Sequence, residues 1–243
     1  VTDSPIADLR ARRGEEATHA AAARGMFDRI APTYDVLNRV LSAGVDERWR
    51  DRAVAEMTDL PPGPVLDLCA GTLDLAGRVE RARPDDRVVA VDFSRAMLEA
   101  GRSKAPRTDI VVADAMSLPF GDGDFVGVLC GFGMRNLADL ARGVREVRRV
   151  LRRGGVFVTL EFFRPEHMLS RVFHRAYGRV VLPALGGWVS GDRGAYRYLA
   201  QSMASFVSRE QYERVLVGAG FAGVVGFDLT LGVASIVRAE AAG

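Results

Sequence analysis

Two short apolar runs, Val65-Leu66-Asp67-Leu68 and Val88-Val89-Ala90-Val91-Asp92, each carry an aspartate at or near the end, and Gly71 follows the first run. The first run is bounded by the breaker Pro61-Pro62-Gly63-Pro64, which suits a buried parallel strand. Gly71 supplies the turn, and Asp92 lies roughly 20 residues beyond it, where a ribose-binding carboxylate is expected. An acid at a strand end, a glycine where backbone must approach a ligand, and the free N–H groups opening a helix make a nucleotide-type site. The glycine-x-glycine-x-x-glycine pattern is absent after the first strand, so nothing crowds N–H groups around a pyrophosphate. A nucleoside carrying a small anion fits better.

A second group of reactive types lies farther along. Gly131-Phe132-Gly133 closes another apolar run, Arg135 and Asn136 follow at once, and Glu161 ends the run Val156 to Leu160. Ligands of open parallel sheets bind at the carboxyl ends of strands, so these residues face the same region as Asp92. The helix dipole disfavours a cation at a helix start, which argues against Arg135 merely reaching solvent. A fixed guanidinium and a neighbouring amide can instead stabilise a developing oxyanion.

Taken in order, these pieces resemble class I S-adenosylmethionine-dependent methyltransferases, and within them the quinone C-methyltransferase family of menaquinone and ubiquinone biosynthesis. The resemblance covers nearly all of the chain after about residue 25. It rests on Tyr34-Asp35-Val36-Leu37-Asn38, Leu41-Ser42-Ala43-Gly44 with Trp49, the turn Asp67 to Ala76, Gly131 to Leu137, Glu161-Phe162-Phe163-Arg164-Pro165, and Tyr196-Arg197-Tyr198-Leu199 with Ser202. It implies that S-adenosylmethionine is held by Tyr34, Asp67, Gly71, Thr72, Asp92, Phe93, Asp114, Ala115 and Gly131. Asp92 would take the ribose hydroxyls and Asp114 the adenine amine, although an ordinary helix cap also accounts for Asp114. The catalytic pair would be Arg135 and Asn136, with Phe132, Glu161, Phe173, Tyr177 and Tyr196 around the acceptor. That acceptor is expected to be a prenylated quinol, demethylmenaquinol before others. Loss of one phenolic proton, near pKa 10 by analogy with tyrosine, loads charge onto the ring carbon that is methylated.

The elements that must position these groups follow from periodicity. Alternating strands and helices argue for an α/β fold, a doubly wound and mostly parallel seven-stranded sheet, Rossmann-like by the resemblance. Ile110 to Ala115 reads as the third strand, Phe125 to Leu129 as the fourth and Val156 to Leu160 as the fifth. A helix from Ala138 to Arg152 buries Leu140, Val144, Val147 and Leu151 and is expected to stop at Gly154-Gly155. A helix over Ser208 to Ala219 leads into Phe221 to Leu229 and Val233 to Val237, an antiparallel edge hairpin. Residues 1–25 read as a mobile arm and 26–243 as one domain, in which 26–60 form a helical lid and 162–207 an inserted helical cap. In that insertion Met168, Leu169, Val172, Phe173, Ala176, Tyr177, Val180 and Val181 form an apolar stripe, read as a substrate cap or a contact in a homodimer.

Composition excludes several classes. The chain of 243 residues is 48% hydrophobic and 26% charged with net charge +2, so it has a sizeable core and no field for nucleic acid. His19, His167 and His174 are too scattered for a metal cluster, and Cys69 and Cys130 form no paired framework. No segment approaches a membrane span, and the expected setting is cytoplasmic, with peripheral membrane contact left open. Several positions depart from the family. The usual glycine-threonine-glycine turn reads Gly71-Thr72-Leu73, so Leu73 must take a φ that a β-carbon tolerates; Cys69 stands where glycine is common, and Gly194 where an acid is usual. Three other readings remain: a nicotinamide oxidoreductase, which lacks its glycine pattern here, a non-catalytic accessory protein on the same fold, and a natural-product methyltransferase acting on soluble phenols.

Overall fold

Strands β1 (Val65–Leu68) and β2 (Val88–Asp92) are buried at every position, which is why both read as unbroken apolar runs. They pair in parallel, Val65 against Val88 through Leu68 against Val91. The computed structural model describes residues 23–164, 198 and 201–243. Within them β3 (Asp109–Val112) flanks β2, while β4 (Phe125–Gly131) and β5 (Leu151–Glu161) continue the parallel sheet on the other side of β1. Two antiparallel strands, β6 (Phe221–Leu229) and β7 (Ala234–Ala241), complete a seven-stranded sheet in the order β3-β2-β1-β4-β5-β7-β6. The expected edge hairpin is present, with its second strand inserted next to β5 and its first outermost. The chain leaves β1 toward one edge and returns to β4 on the other side, which opens a crevice at the carboxyl ends of β1 and β4.

Alternation along the strands divides the core between two faces. Leu66, Leu68, Val89, Val91, Val128 and Phe157 pack with Val144, Val147 and Val150 of α6 (Leu140–Val150) and with Tyr212 and Leu216 of α7 (Arg209–Gly218). Val65, Val88, Ala90, Leu129, Val156 and Val158 meet α3 (Val45–Ala55), α4 (Asp74–Ala82) and α5 (Arg95–Gly101) through Trp49, Ala53, Leu75, Val79 and Leu98. Two further helices, α1 (23–30) and α2 (Tyr34–Ser42), precede α3. Side-chain oxygens of Ser94, Asp139 and Ser208 cap α5, α6 and α7, a contribution of about 1 kcal/mol each.

One boundary differs from expectation. α6 stops at Val150 rather than Arg152, and Gly154-Gly155 lies inside β5 instead of ending the helix. Leu151 is buried and pairs with Phe125; the register then shifts so that Gly127 faces Val156. Gly154, at φ 73, absorbs this bulge, which a residue with a β-carbon would resist. The third strand is also shorter than expected, ending at Val112, so Ala113 to Ala115 form the turn beyond it. Residues 1–22 of the expected arm and most of the expected cap, with Phe173, Tyr177 and Tyr196, lie outside the described residues. Among the described residues no helix is long and apolar enough to cross a membrane.

Asp67 sits in the middle of this packing, 1% exposed, with Oδ2 accepting from the Ala76 N–H at 2.8 Å and Oδ1 without a partner among the described residues. Burial pushes its carboxyl up to about 8; the Ala76 N–H opposes that shift, and the Asp92 and Asp74 carboxylates add to it. Because the folded value exceeds the unfolded one, near 3.9, the associated stability is complete below that value and is lost as pH rises through about 8. Asp67→Asn should therefore gain on the wild type as pH rises, read as the difference in urea midpoints at about pH 5 and pH 8. An equal difference at both pH values would contradict this.

Candidate functional site

The turn after β1 departs from ordinary backbone at three places, with Cys69 at φ 55, Gly71 at φ 51 and Leu73 at φ 61. Leu73, expected at a φ that a β-carbon tolerates, sits in the left-handed region, which a β-carbon tolerates only at a cost. A left-handed non-glycine residue costs roughly 1–2 kcal/mol. Leu73 is fully buried among Ala76, Val79 and Leu98, and burying a leucine contributes roughly 1.5–3 kcal/mol, enough to hold the turn without glycine. The turn exposes backbone donors. Gly71 N–H donates to Asp92 Oδ2 and Ser94 N–H to Asp92 Oδ1, each at 2.9 Å. Burial pushes the Asp92 carboxyl up to about 6, against the N–H groups of Ser94, Gly71 and Phe93.

The first helices close over this turn. Thr72 Oγ1 donates to Asp35 Oδ1 of α2 at 2.6 Å, and Lys104 Nζ bridges Thr72 at 3.1 Å and Asp74 at 2.9 Å while also pairing with Asp35. On α1, Asp28 accepts from the Ser94 hydroxyl, and Phe27 packs edge-on against Phe93 at 5.9 Å and Tyr34 at 6.3 Å. Ser42 and Gly44 shape the entry to α3, where Asp46 and Arg50 form a buried pair behind the turn. The turn at 42–44 does not line the cleft.

The cleft at the carboxyl ends of the strands has a volume of about 810 Å³ including its open mouth. Of the residues expected at a ligand, Tyr34, Gly71, Asp92, Phe93, Asp114, Ala115, Gly131, Phe132 and Asn136 line it. Asp67, Thr72, Arg135 and Glu161 do not. Asp67 lies below the turn, and the Thr72 hydroxyl is engaged by Asp35 and Lys104. Asp114 Oδ1 accepts from the Met116 N–H at 2.8 Å, which fixes the loop beyond β3. Arg24, Phe27, Met97 and Met116 also line the cleft and were not anticipated. Phe27 and Met97 carried only the signal of helical periodicity, which marks burial without saying against what.

At the far end Phe132 takes φ 59 and turns its carbonyl toward the short 3-10 turn Met134–Asn136. That carbonyl accepts from Arg135 Nη1 and, at 3.3 Å, from Asn136 Nδ2. Arg135 Nη1 also donates to Glu161 Oε1 at 2.7 Å, its ring neighbour is Phe162 at 5.7 Å, and Glu161 is wholly buried. Glu161 further accepts from the N–H groups of Arg135 and Phe162. Burying an ion pair is favourable only when such extra bonds satisfy the charges, and here one buried atom is left over: Arg135 Nε has no partner among the described residues. Tyr198 reaches the same place, its hydroxyl donating to Asn136 Oδ1 at 3.1 Å.

The two cysteines, read as forming no paired framework, are free thiols that lie against each other, with Cys69 lining the cleft and Cys130 buried. A β-carbon at Gly133 would lie 2.9 Å from the Cys130 sulfur and 3.0 Å from that of Cys69, so only glycine lets the backbone pass over them. The hydrogen bond with Cys130, then burial, raises the Cys69 thiol well above its ordinary value, which keeps it a packing group.

Known proteins agree with this arrangement. The model of the ubiE/COQ5 methyltransferase family matches residues 15–240. The demethylmenaquinone methyltransferase of Thermus thermophilus is 44% identical over 216 residues, 87% of this chain and 97% of that protein. The ubiquinone/menaquinone biosynthesis C-methyltransferase UbiE of Geotalea uraniireducens is 40% identical over 222 residues, 88% of this chain and 94% of that protein. Among solved structures, a SAM-dependent methyltransferase of Thermotoga maritima superposes with TM-score 0.66 at 19% identity, covering 90% of this chain and 99% of that one. The [4+2]-cyclase SpnF matches with TM-score 0.66 at 20% identity, over 90% of this chain and 96% of its own, so the fold by itself does not dictate methyl transfer. The sequence match does what the fold cannot, and on it the chain belongs to the ubiE/COQ5 methyltransferase family.

Proposed function

We propose that the chain transfers a methyl group from S-adenosylmethionine to a ring carbon of a demethylated quinol, with demethylmenaquinol as the acceptor. The observation that carries the reading is the buried Arg135 guanidinium, held by Glu161 and with its buried Nε left unpartnered among the described residues, next to the cleft that Asp92 lines. The names of the relatives supply the substrate class.

The residues present suit the cofactor. Asp92 offers two carboxylate oxygens already fixed by backbone donors, each with capacity for a ribose hydroxyl. Val91, Met97, Ala115 and Met116 give apolar walls for a base, and Asp114 lies beside them. When bound, S-adenosylmethionine supplies an activated methyl, so the protein need only align the acceptor, exclude water and stabilise acceptor charge. Phe27, Tyr34 and Phe93 exclude water from above. Arg135, its plane set by Glu161 and Phe162, stabilises the phenolate oxygen, and Asn136 presents an amide to the cleft. A prenyl tail on the acceptor, and with it contact with a membrane surface, belongs to the same proposal. Of the two departures that favour a non-catalytic protein, Gly194 lies outside the described residues, while Leu73 is accommodated by burial and leaves the Gly71 N–H on Asp92.

Labelled S-adenosylmethionine incubated with prenylated and unprenylated acceptors, each dithionite-reduced or oxidised, tests the reading. Label should enter demethylmenaquinol only under reductant, because a quinone has no phenolic proton to lose. Equal rates with both redox forms would overturn the quinol mechanism, and activity confined to soluble monophenols would favour a natural-product enzyme. Arg135→Met should lower turnover by about 10² to 10³, the usual loss on truncating one oxyanion donor. A much smaller loss would reduce Arg135 to positioning.

The bonds from Lys104 and Thr72 to Asp35 fasten α2 over the turn and make a separate prediction. These partners are partly exposed, so Asp35→Asn should weaken cofactor binding only about twofold to fivefold, with less effect at high salt. Turnover at saturating cofactor should be unchanged. Calorimetric titration at two salt concentrations checks it, and a salt-independent loss would contradict the latch.

A further inference from the structure

Asn136 lies in the cleft with a side chain whose two ends are chemically opposite, one oxygen acceptor and one NH₂ donor. Which end faces the acceptor decides whether the residue helps or hinders a phenolate. Phe132 O accepts from Nδ2 at 3.3 Å, a long and weak bond that alone would hold the amide poorly. The Tyr198 hydroxyl donates to Oδ1 at 3.1 Å from the opposite side. The Phe132 carbonyl can only accept, which sends Nδ2 toward it, and the Tyr198 hydroxyl, by donating to Oδ1, adds the second bond that holds the amide in that orientation.

From this geometry we infer that Tyr198 is a positioning residue of the methyl-transfer site, fixing Asn136 so that its NH₂ group, not its carbonyl, is offered to the acceptor oxygen. The inference rests on the quinol reading and deepens it. A flipped amide would place a carbonyl oxygen against the acceptor's negative oxygen, which is repulsive. Burial, partly opposed by Arg135, raises the Tyr198 phenol above its ordinary value, so the hydroxyl keeps its proton and remains a donor. The residue also ties the site to its lid. Its ring meets Phe27 edge-on at 6.4 Å and joins the cluster of Met26 and Ile30 on α1, while Phe27 touches Phe93 and Tyr34 beside the cofactor end. One tyrosine therefore connects the lid helix to the amide at the reacting end.

Tyr198→Phe keeps the ring and removes only the hydroxyl, so it separates the two roles. Loss of one hydrogen bond of ordinary strength should lower kcat for demethylmenaquinol about fivefold to tenfold. KM and S-adenosylhomocysteine affinity should change by less than about twofold, because the ring contact with Phe27 survives. In an Asn136→Ala background the same substitution should have no further effect on kcat, since its action passes through the amide. The Asn136 side-chain amide resonances, assigned by their absence in Asn136→Ala, should shift in Tyr198→Phe with no acceptor present. Unchanged kcat, losses that multiply in the double variant, or unshifted amide resonances would overturn the inference. Failure of the wild type to methylate any quinol would instead overturn the substrate reading and with it the kinetic role, leaving the amide resonances to decide the Tyr198–Asn136 contact.

Discussion

A carboxylate buried at the end of β2 is the constraint from which the site is built. Asp92 is 5% exposed, and an isolated carboxylate there would be costly unless donors reached it. The donors come from two different segments, Gly71 from the turn after β1 and Ser94 from the start of α5. Satisfying Asp92 thus requires the β1 turn to adopt its left-handed conformation and α5 to begin where it does. The same requirement reaches α1, because Ser94, which caps α5, also donates its hydroxyl to Asp28 there. The remaining desolvation, which the backbone donors only partly offset, raises the carboxyl to about 6. A ligand bringing two hydroxyl donors would relieve it.

The opposite end of the cleft repeats the principle with a cation. Glu161 closes β5, is wholly buried, and is satisfied by the Arg135 guanidinium and two backbone N–H groups. Phe132 accepts a left-handed backbone so that its carbonyl can hold both Arg135 and Asn136. Such non-glycine φ values cost about 1–3 kcal/mol each and persist only where surrounding contacts over-determine them. Among the described residues they occur at Cys69, Leu73 and Phe132 around the crevice, and also away from it at Ala43, Thr230 and Leu231. Two buried polar systems, one on each side of the switch between β1 and β4, thus flank the cleft.

Much of this was legible in the residues. Asp92 could be found because a buried parallel strand reads as an apolar run, and an acid ending such a run roughly 20 residues past a turn serves no packing purpose there. Arg135 and Asn136 could be found because polar groups directly after a glycine-rich strand end have little structural purpose there. The end of α6 was not legible, since Val147, Val150 and Leu151 fit a helical face while Leu151 also fits a strand; only pairing with Phe125 decides it. Asp67 looked equivalent to Asp92 in sequence, yet its place within β1 points it beneath the turn, toward the N–H of Ala76. The meeting of Cys69 and Cys130 depends on β1 and β4 being neighbours, which no local pattern states. Tyr198 shared its motif with Tyr196, and spacing cannot say which tyrosine reaches Asn136.

Asp92 acting as the ionised anchor of the cofactor is the central claim, and proton-linked binding tests it most directly. S-adenosylhomocysteine, titrated calorimetrically into the wild type and Asp92→Asn from about pH 5 to pH 8, reports the anchor without turnover. Because the carboxyl of the free protein titrates at about 6 and its ionised form is the one that accepts ribose hydroxyls, wild-type affinity should be level above about pH 7 and fall toward tenfold per pH unit below about 6. Asp92→Asn should bind at least about tenfold more weakly at pH 7.5 and lose that break. A wild-type affinity flat across the range, or the same break kept by Asp92→Asn, would contradict an ionised Asp92 anchor.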